Sequence, residues 1–289
     1  MRSAPFVVID VTTIDEALTA LGDCAAGARF LAGGQDILGE LNARRSLAKS
    51  LVNLATVPEL AGVVHQSGNL EIGAMTRMHE IEQLGADNRL RTAGIRHVLA
   101  AIASSSGPRA VRTLGTPGGN LVSRRAGTLW PTALTALGAQ LRVMSSSGTH
   151  FHDVPEGISA ARNTRNVSLI AGFRVSDERL RLVLGRAPVP TRFHLLSATC
   201  AVVIQPGWDV VRASLTWPRA VPRVREAHLS DLANGELRDR LVADVLDAVD
   251  DPEVHPQARL VMLSLVGRVL DRATGTNAQA DHGTVIIDV

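Results

Sequence analysis

The sequence predicts an α+β fold: two small α/β subdomains, then a third region of antiparallel sheet with helices on one face. Three observations predict it. Up to about Ala55, short apolar runs alternate with helical spacing in the order βαβαβ. Past roughly Ala160, long apolar strands recur at regular spacing, joined by short turns. Helical stretches then close the chain, which is the order of a sheet covered on one face.

Phe6-Val7-Val8-Ile9 is the first expected strand. Thr12 or Thr13 then caps a helix over Ile14–Ala26, with Ile14, Ala17, Leu18 and Leu21 on one stripe. Arg29–Ala32 reads as a strand, Ile37–Leu47 as a helix and Leu51–Leu54 as the next strand. Val63-Val64 and Leu70–Ile72 form a hairpin around Ser67-Gly68-Asn69. Helices are expected over Met78–Leu84, Ile95–Ala103 and Pro131–Leu137, and a strand over Gln140–Met144 ending in a tight turn at Ser145–Gly148. The later strands are Ser168–Val175, Leu180–Leu184, Ala198–Ile204 and Val210–Trp217, with a turn at Gln205-Pro206-Gly207. Ser230–Ala233, Leu237–Val249 and Pro256–Arg272 are the closing helices, and Thr284–Ile287 reads as a late strand. These elements place a first subdomain at residues 1–56, a second at 57–160, the sheet-plus-helices domain at 161–275 and a tail at 276–289.

Composition excludes several function classes. The 289 residues are 45% apolar, as in a globular protein, but only 3% aromatic with no Tyr, which leaves little for stacking on bases. All 30 basic residues but Lys49 are Arg, and 28 acidic residues nearly cancel them, so no basic stripe calls for nucleic acid. No run is long and apolar enough for a membrane span, and no signal-peptide core opens the chain; a soluble, cytoplasmic protein is expected. Cys24 and Cys200 lack motif partners, and the apolar surroundings of Cys200 suit an inert core thiol. His150-Phe151-His152 has no third ligand at a useful spacing and reads as a solvated loop, so no metal site is expected.

Two glycine-paired segments stand out: Ala32-Gly33-Gly34-Gln35-Asp36 and Gly115-Thr116-Pro117-Gly118-Gly119-Asn120. Glycine pairs permit positive φ and let a ligand lie against main-chain N–H groups, so consecutive amides can form a concave anion site. A helix opening at Ile37 would add its positive end to the first segment. Two such loops suggest a diphosphate held from both sides. There is no GxGxxG fingerprint, P-loop, GxSxG elbow or HExxH.

Four ordered motifs give the segments a context. They are Phe30-Leu-Ala-Gly-Gly-Gln-Asp-Ile-Leu38, Leu51-Val-Asn-Leu-Ala-Thr-Val-Pro-Glu-Leu60, Leu70-Glu-Ile-Gly-Ala-Met-Thr76 and Val111-Arg-Thr-Leu-Gly-Thr-Pro-Gly-Gly-Asn-Leu121. With them the chain resembles the FAD-binding, medium subunit of the molybdenum hydroxylases, the carbon monoxide dehydrogenase and xanthine dehydrogenase family. The resemblance spans about residues 5–275 and implies the FAD-binding fold of the vanillyl-alcohol-oxidase/PCMH type. It further implies that Ala32, Gly33, Gly34, Gln35, Asp36 and Ile37 line one side of the dinucleotide. Gly115, Thr116, Gly118, Gly119 and Asn120 would line the other, with the third domain shielding the flavin ring. The chain has neither molybdopterin nor iron–sulfur modules, so electrons would pass through separate molybdopterin and iron–sulfur subunits.

Departures from the family pattern are expected to weaken FAD binding. Leu129, with Trp130 beside it, stands where the family keeps an Asp that contacts flavin hydroxyls, and Val183 stands where it often has a Lys before a Gly-Arg pair. One lost neutral hydrogen bond costs only about 1 kcal/mol. Arg124 and Arg125 follow the second glycine segment, as a solvated loop or as ligands for an anionic substrate. His79, His97 and His194 are the titratable candidates near the expected pocket and read as surface or packing histidines; Glu80 and Glu82 read as partners of a helix start. Catalytic residues are not identifiable. Three functions remain open; two are a redox flavoprotein acting on a small molecule alone or with partners, and a flavoprotein-like scaffold rebuilt as a non-redox cyclase, rearrangement enzyme or isomerase of an apolar small molecule in secondary metabolism. An inert binding subunit is the third.

Overall fold

The computed structural model describes residues 5–24, 27–44, 46, 48–86, 94–123, 128–163, 167–178, 180–190, 195–205, 210–217, 220–228, 236–247, 257–275 and 285–288. In chain order the elements begin β1 (Val7–Asp10), α1 (Ile14–Asp23), β2 (Ala28–Leu31), α2 (Ile37–Asn42), β3 (Ser50–Asn53), β4 (Val63–Gln66) and β5 (Asn69–Gly73). There follow α3 (Met78–Gln83), α4 (Ile95–Ser104), α5 (Arg109–Leu114), α6 (Pro117–Val122) and α7 (Trp130–Ala136). Next come β6 (Gln140–Ser145), β7 (Gly148–Asp153), α8 (Val154–Arg162), β8 (Ser168–Ser176), β9 (Arg181–Pro190), β10 (Leu195–Ile204), β11 (Val210–Thr216) and β12 (Arg223–His228). The last are α9 (Glu236–Asp247), α10 (Gln257–Thr274) and β13 (Val285–Asp288). The chain forms two compact units, one of Met1–Gln83, Ala103–Ser123 and Gln140–Ser176, the other of Leu84–Ile102, Arg124–Ala139 and Asp177–Val289.

The first unit starts with a parallel sheet in the order β1-β3-β2, built from the expected βαβαβ sequence. Thr13 caps α1 by accepting the Glu16 N–H at 3.1 Å, and Glu16 reaches back to the Thr12 N–H at 2.7 Å, so the helix start satisfies its own orphan donors. Ile14 and Ala17 of α1 then pack with Val52, Leu54 and Val57. Ile37 and Leu41 of α2 pack with Ala48 and Leu51. Helix α2 ends at Asn42 instead of running toward Leu47, because Arg44 turns left-handed (φ 55) and breaks the spiral; Leu47 itself lies outside the described residues.

The second sheet of this unit is antiparallel, in the order β4-β5-β8-β6-β7. Ser67 (φ 51) and Gly68 (φ 75) make the two-residue turn joining β4 to β5, the geometry that matches strand twist. Strand β8 pairs with β5 and β6, which corrects the expectation that Ser168–Val175 belongs with the later strands. A central strand buried on both faces reads as a continuous apolar run, and such a run does not reveal its partners. The His150-Phe151-His152 segment is also corrected: it is edge strand β7, with the Arg174 guanidinium 3.9 Å above the Phe151 ring.

The second unit holds the antiparallel sheet β12-β11-β10-β9-β13, and the late strand at the carboxyl end pairs with β9 as expected in kind. On one face, Val183, Ala198, Cys200, Val202, Ala213 and Leu215 meet Leu241 of α9 and Met262, Leu265, Val266 and Val269 of α10. Gly185 is the point of closest approach, where a Cβ would lie 2.4 Å from Val269 Cγ2. The opposite face is not bare: Thr132 of α7 hydrogen-bonds Thr199 and Thr216 at 2.6 and 2.7 Å. The closing helices α9 and α10 thus pack on one face, as expected, and α7, from before the third region, meets the other. The expected helix over Ser230–Ala233 and the turn residues Pro206 and Gly207 lie outside the described residues. No helix among the described residues is long and apolar enough to cross a membrane.

Candidate functional site

Both glycine motifs lie in the first unit and touch each other. At Gly33 a Cβ would fall 2.1 Å from the Leu114 carbonyl oxygen and 3.1 Å from Gly115 Cα, so only glycine permits this approach. A Cβ on Gly119 would sit 3.4 Å from Ala32 Cβ and 3.2 Å from Thr116 Oγ1. Beyond the seam, Ser123 Oγ donates to Asp36 Oδ2. Gly33 is thus brought against Leu114 and Gly115, Ala32 against Gly119, and Asp36 against Ser123.

The first motif is a turn feeding α2. Gly34 is left-handed (φ 71), and its carbonyl accepts the Leu38 N–H at 3.2 Å. Gln35 folds back, its Nε2 donating to the Gly33 carbonyl at 3.4 Å. Among the described residues, no acceptor takes the main-chain N–H of Gly33, Gly34 or Gln35. Asp36 occupies the N-cap position of α2, yet its carboxylate goes to Ser123 rather than to the helix. Ile37 contributes its side chain to the core and is buried.

The second motif is a helix start, not the glycine loop expected. Thr116 caps α6 by accepting the Gly119 N–H at 3.2 Å, and Pro117 has its φ preset for the first turn. Gly115 has φ −64, and Gly118 and Gly119 sit within the helix, so these glycines supply missing side chains, not unusual φ. At Gly118 a Cβ would meet Ala74 Cβ at 2.7 Å and Ala74 O at 2.8 Å. The amides here are already committed. Gly118 donates to Ala74 O at 2.9 Å, Gly115 to Val111 O at 2.6 Å and Asn120 to Thr116 O at 3.0 Å. The two motifs are therefore unequal: one offers free amides, the other a close-packed surface. Both helices that open here have six residues, too short for a strong end charge.

Sequence reasoning missed the supports around the seam. Arg77 Nη1 donates to the Leu114 carbonyl at 2.5 Å, and the Met78 N–H donates to the Gly115 carbonyl at 2.9 Å. Arg162 Nη2 donates to the Ser123 carbonyl at 2.7 Å. The Arg77-Met78 pair directly follows the third motif, Leu70–Thr76, and that adjacency was the available signal. Glu80 caps α3 by accepting the Arg77 N–H at 3.0 Å, as a helix-start partner should, whereas Glu82 lies near the end of α3 and pairs instead with Arg112 at 3.0 Å. His79 and His97 are half-buried helix residues whose Nδ1 atoms are buried without a hydrogen bond. His194, Arg124 and Arg125 lie outside the described residues.

Leu129, Trp130 and Val183 do not form an apolar pocket wall. Leu129 precedes α7 as its N-cap and is buried, Trp130 is fully buried, and Val183 packs on the helix-covered face of the second unit's sheet. These substitutions serve the core. The rebuilt cyclase pocket, which rested on them, loses its basis.

The model of the FAD binding domain in molybdopterin dehydrogenase matches residues 4–174. Caffeine dehydrogenase subunit beta of Pseudomonas sp. (strain CBB1) is 30% identical over 193 residues, 67% of this chain and 61% of that one. The carbon monoxide dehydrogenase medium chain of Afipia carboxidovorans is 28% identical over 183 residues, 63% of this chain and 58% of that one. The matched stretch thus spans less than two thirds of these relatives. Both are named as one subunit or chain of a dehydrogenase, which favours the redox reading over the cyclase. A structure of reconstituted CO dehydrogenase from Oligotropha carboxidovorans has the same fold, with a TM-score of 0.75 at 18% identity over 96% of this chain and all (100%) of that one. With the matched domain covering more than half of the sequence and containing both glycine motifs, the chain belongs to the family of FAD-binding domains of the molybdopterin dehydrogenases.

Proposed function

We propose that the chain is the electron-transferring flavoprotein part of a dehydrogenase, exchanging electrons with separate molybdopterin and iron–sulfur subunits. The observation that carries the reading is the seam at Gly33, where a bare Cα lies on the Leu114 carbonyl beside three unpartnered amides. These residues fit a dinucleotide. Charge-assisted hydrogen bonds from fixed amides are worth about 1.5–3 kcal/mol each, and Gly34 and Gly119 leave no side chain between ligand and main chain.

Gly33, Gly34 and Gln35 would donate to the diphosphate, with Ala32 supporting them and Asp36 bracing the turn from Ser123. Thr116, Gly119 and Asn120 would close the other side, while Gly115 and Gly118 hold α6 in place and Ile37 anchors α2 in the core. Bound FAD would supply the redox chemistry, and the chain's own part is to position it and set its electrostatics. Relatives named as one subunit or chain of a dehydrogenase support partners for such a subunit, and the substrate would be taken by the molybdopterin-bearing partner.

The test is electron exchange. FAD-loaded protein, reduced anaerobically, is expected to bleach and to recover colour with an electron acceptor in stopped flow. A loaded protein that stays oxidised under reductant contradicts the electron-transfer reading while leaving FAD binding intact.

A further inference from the structure

The seam has a charge imbalance. Its second side has no free amide at Gly115, Gly118, Gly119 or Asn120, and the first side offers only neutral donors. Lys49 is the only lysine of the chain and is not part of either motif. An anionic diphosphate held by neutral amides alone lacks a counter-charge. Arg77 is placed to give one. Its Nη1 donates to the Leu114 carbonyl at 2.5 Å, the same oxygen against which Gly33 packs, so one carbonyl group separates the guanidinium from the amide turn.

The rest of the guanidinium is unspent. Nε and Nη2 of Arg77 have no acceptor among the described residues, and the side chain is half-buried and unpaired with any carboxylate; Glu80 takes only its main-chain N–H. Three other arginines of this unit are engaged: Arg112 with Glu82 and the Gly107 carbonyl, Arg29 with Glu40, Arg162 with the Ser123 carbonyl. A planar fork fixed through one N–H keeps its remaining donors pre-oriented, which lowers the entropy lost when they engage an oxyanion. The helix start behind it is locked as well, since Met78 donates to the Gly115 carbonyl at 2.9 Å.

We propose that Arg77 is the cation of the diphosphate site, one N–H anchored on the Leu114 carbonyl and the remaining donors reaching a phosphate oxygen of the dinucleotide. The proposal rests on the FAD reading above. It assigns to this one side chain the charge that the glycine motifs lack.

The test compares FAD with riboflavin, which has the ring system but no diphosphate, in titrations of flavin-free protein followed by fluorescence. Arg77→Gln keeps a neutral donor and removes the charge; it is expected to weaken FAD binding about tenfold or more and to leave riboflavin binding within about twofold. Arg77→Lys, which keeps the charge, is expected to fall between the two for FAD. Equal FAD affinity in all three proteins overturns the proposal alone. A matching loss for FAD and riboflavin overturns it too, because that is the mark of a scaffold role. Wild-type protein that binds no FAD overturns the proposal together with the FAD reading. If Arg77→Gln does not fold, phenylglyoxal footprinting of the wild-type protein decides. FAD, but not riboflavin, is expected to protect the peptide containing Arg77, and modification unchanged by FAD overturns the proposal.

Discussion

Ser123 Oγ donates a hydrogen bond to Asp36 Oδ2, tying the residue that closes the glycine helix α6 to the residue that opens α2. The carboxylate thereby leaves its own helix uncapped and braces the turn beside the unpartnered amides. Ser123→Ala removes the donor and keeps the shape. The pair is half-buried, so the loss is expected near 1 kcal/mol, a fall in Tm of roughly 2–4 °C. FAD affinity is expected to drop with it, and thermal melts with and without FAD check both.

Gly33→Ala is expected to open the seam. Its Cβ would fall 2.1 Å from a main-chain oxygen, which cannot rotate away. Overpacking of this kind costs about 1–3 kcal/mol and should abolish FAD retention through gel filtration. Gly39→Ala is the control: it lies in the exposed part of α2 with nothing within 4 Å of a new Cβ. That change is expected to stabilise the protein by roughly 0.5–1 kcal/mol and to leave FAD bound.

Val183→Lys distinguishes the core role of this position from a role at the flavin ring. Val183 is fully buried against α10, so an ammonium there would be unpaired in an apolar layer. A loss of at least about 3 kcal/mol is expected, read as insoluble protein or a collapsed Tm. Recovery of folded protein with tighter FAD binding would show instead that the side chain reaches the flavin.

Cys200 is fully buried in the same apolar cluster, and burial pushes its thiol well above the ordinary range. Cys24 is half-exposed. Native protein is expected to release colour from one thiol with a disulfide reagent and from two after unfolding. The modified peptide should contain Cys24.

Asp244 gives a pH signature. Arg225 holds it by two hydrogen bonds of 2.5 and 2.7 Å, which lowers the carboxyl's proton affinity in the folded state. A depressed carboxylate contributes stability above its unfolded range and loses it as pH falls through the folded value. Arg225 is about half exposed, so solvent screening limits the pair to about 0.2–1 kcal/mol. Asp244→Asn is expected to cost that much at neutral pH and progressively less as pH falls below the ordinary carboxylate range; urea melts from neutral into acid pH check it.

Local signals were legible where the chain satisfies itself. The Thr13–Glu16 capping pair, the Ser67-Gly68 turn and the alternating βαβ order all announce themselves over a few residues. Long-range choices were not. The run Leu169–Val175 is as apolar as any later strand, and only pairing with β5 and β6 decides its sheet.

The glycine motifs were legible as a meeting point but not in their mechanics. Pro117, Gly118 and Gly119 look like loop residues, yet a Thr N-cap with proline at the first position starts a helix there. Their glycines answer to Ala74 and Ala32, which are distant in sequence. Beyond its place directly after the third motif, Arg77 gave no signal, because its partner is a main-chain carbonyl and carbonyls leave no trace in residue type. Leu129 and Val183 looked like altered ligand positions because residue type does not report which way a side chain is buried.

The most direct measurement is a crystal structure of the protein grown with FAD. The diphosphate is expected over the amides of Gly33, Gly34 and Gln35, with Gly119 closing the other side and Arg77 on a phosphate oxygen. A dinucleotide bound elsewhere, or Gly33 separated from the Leu114 carbonyl with FAD present, would contradict the account.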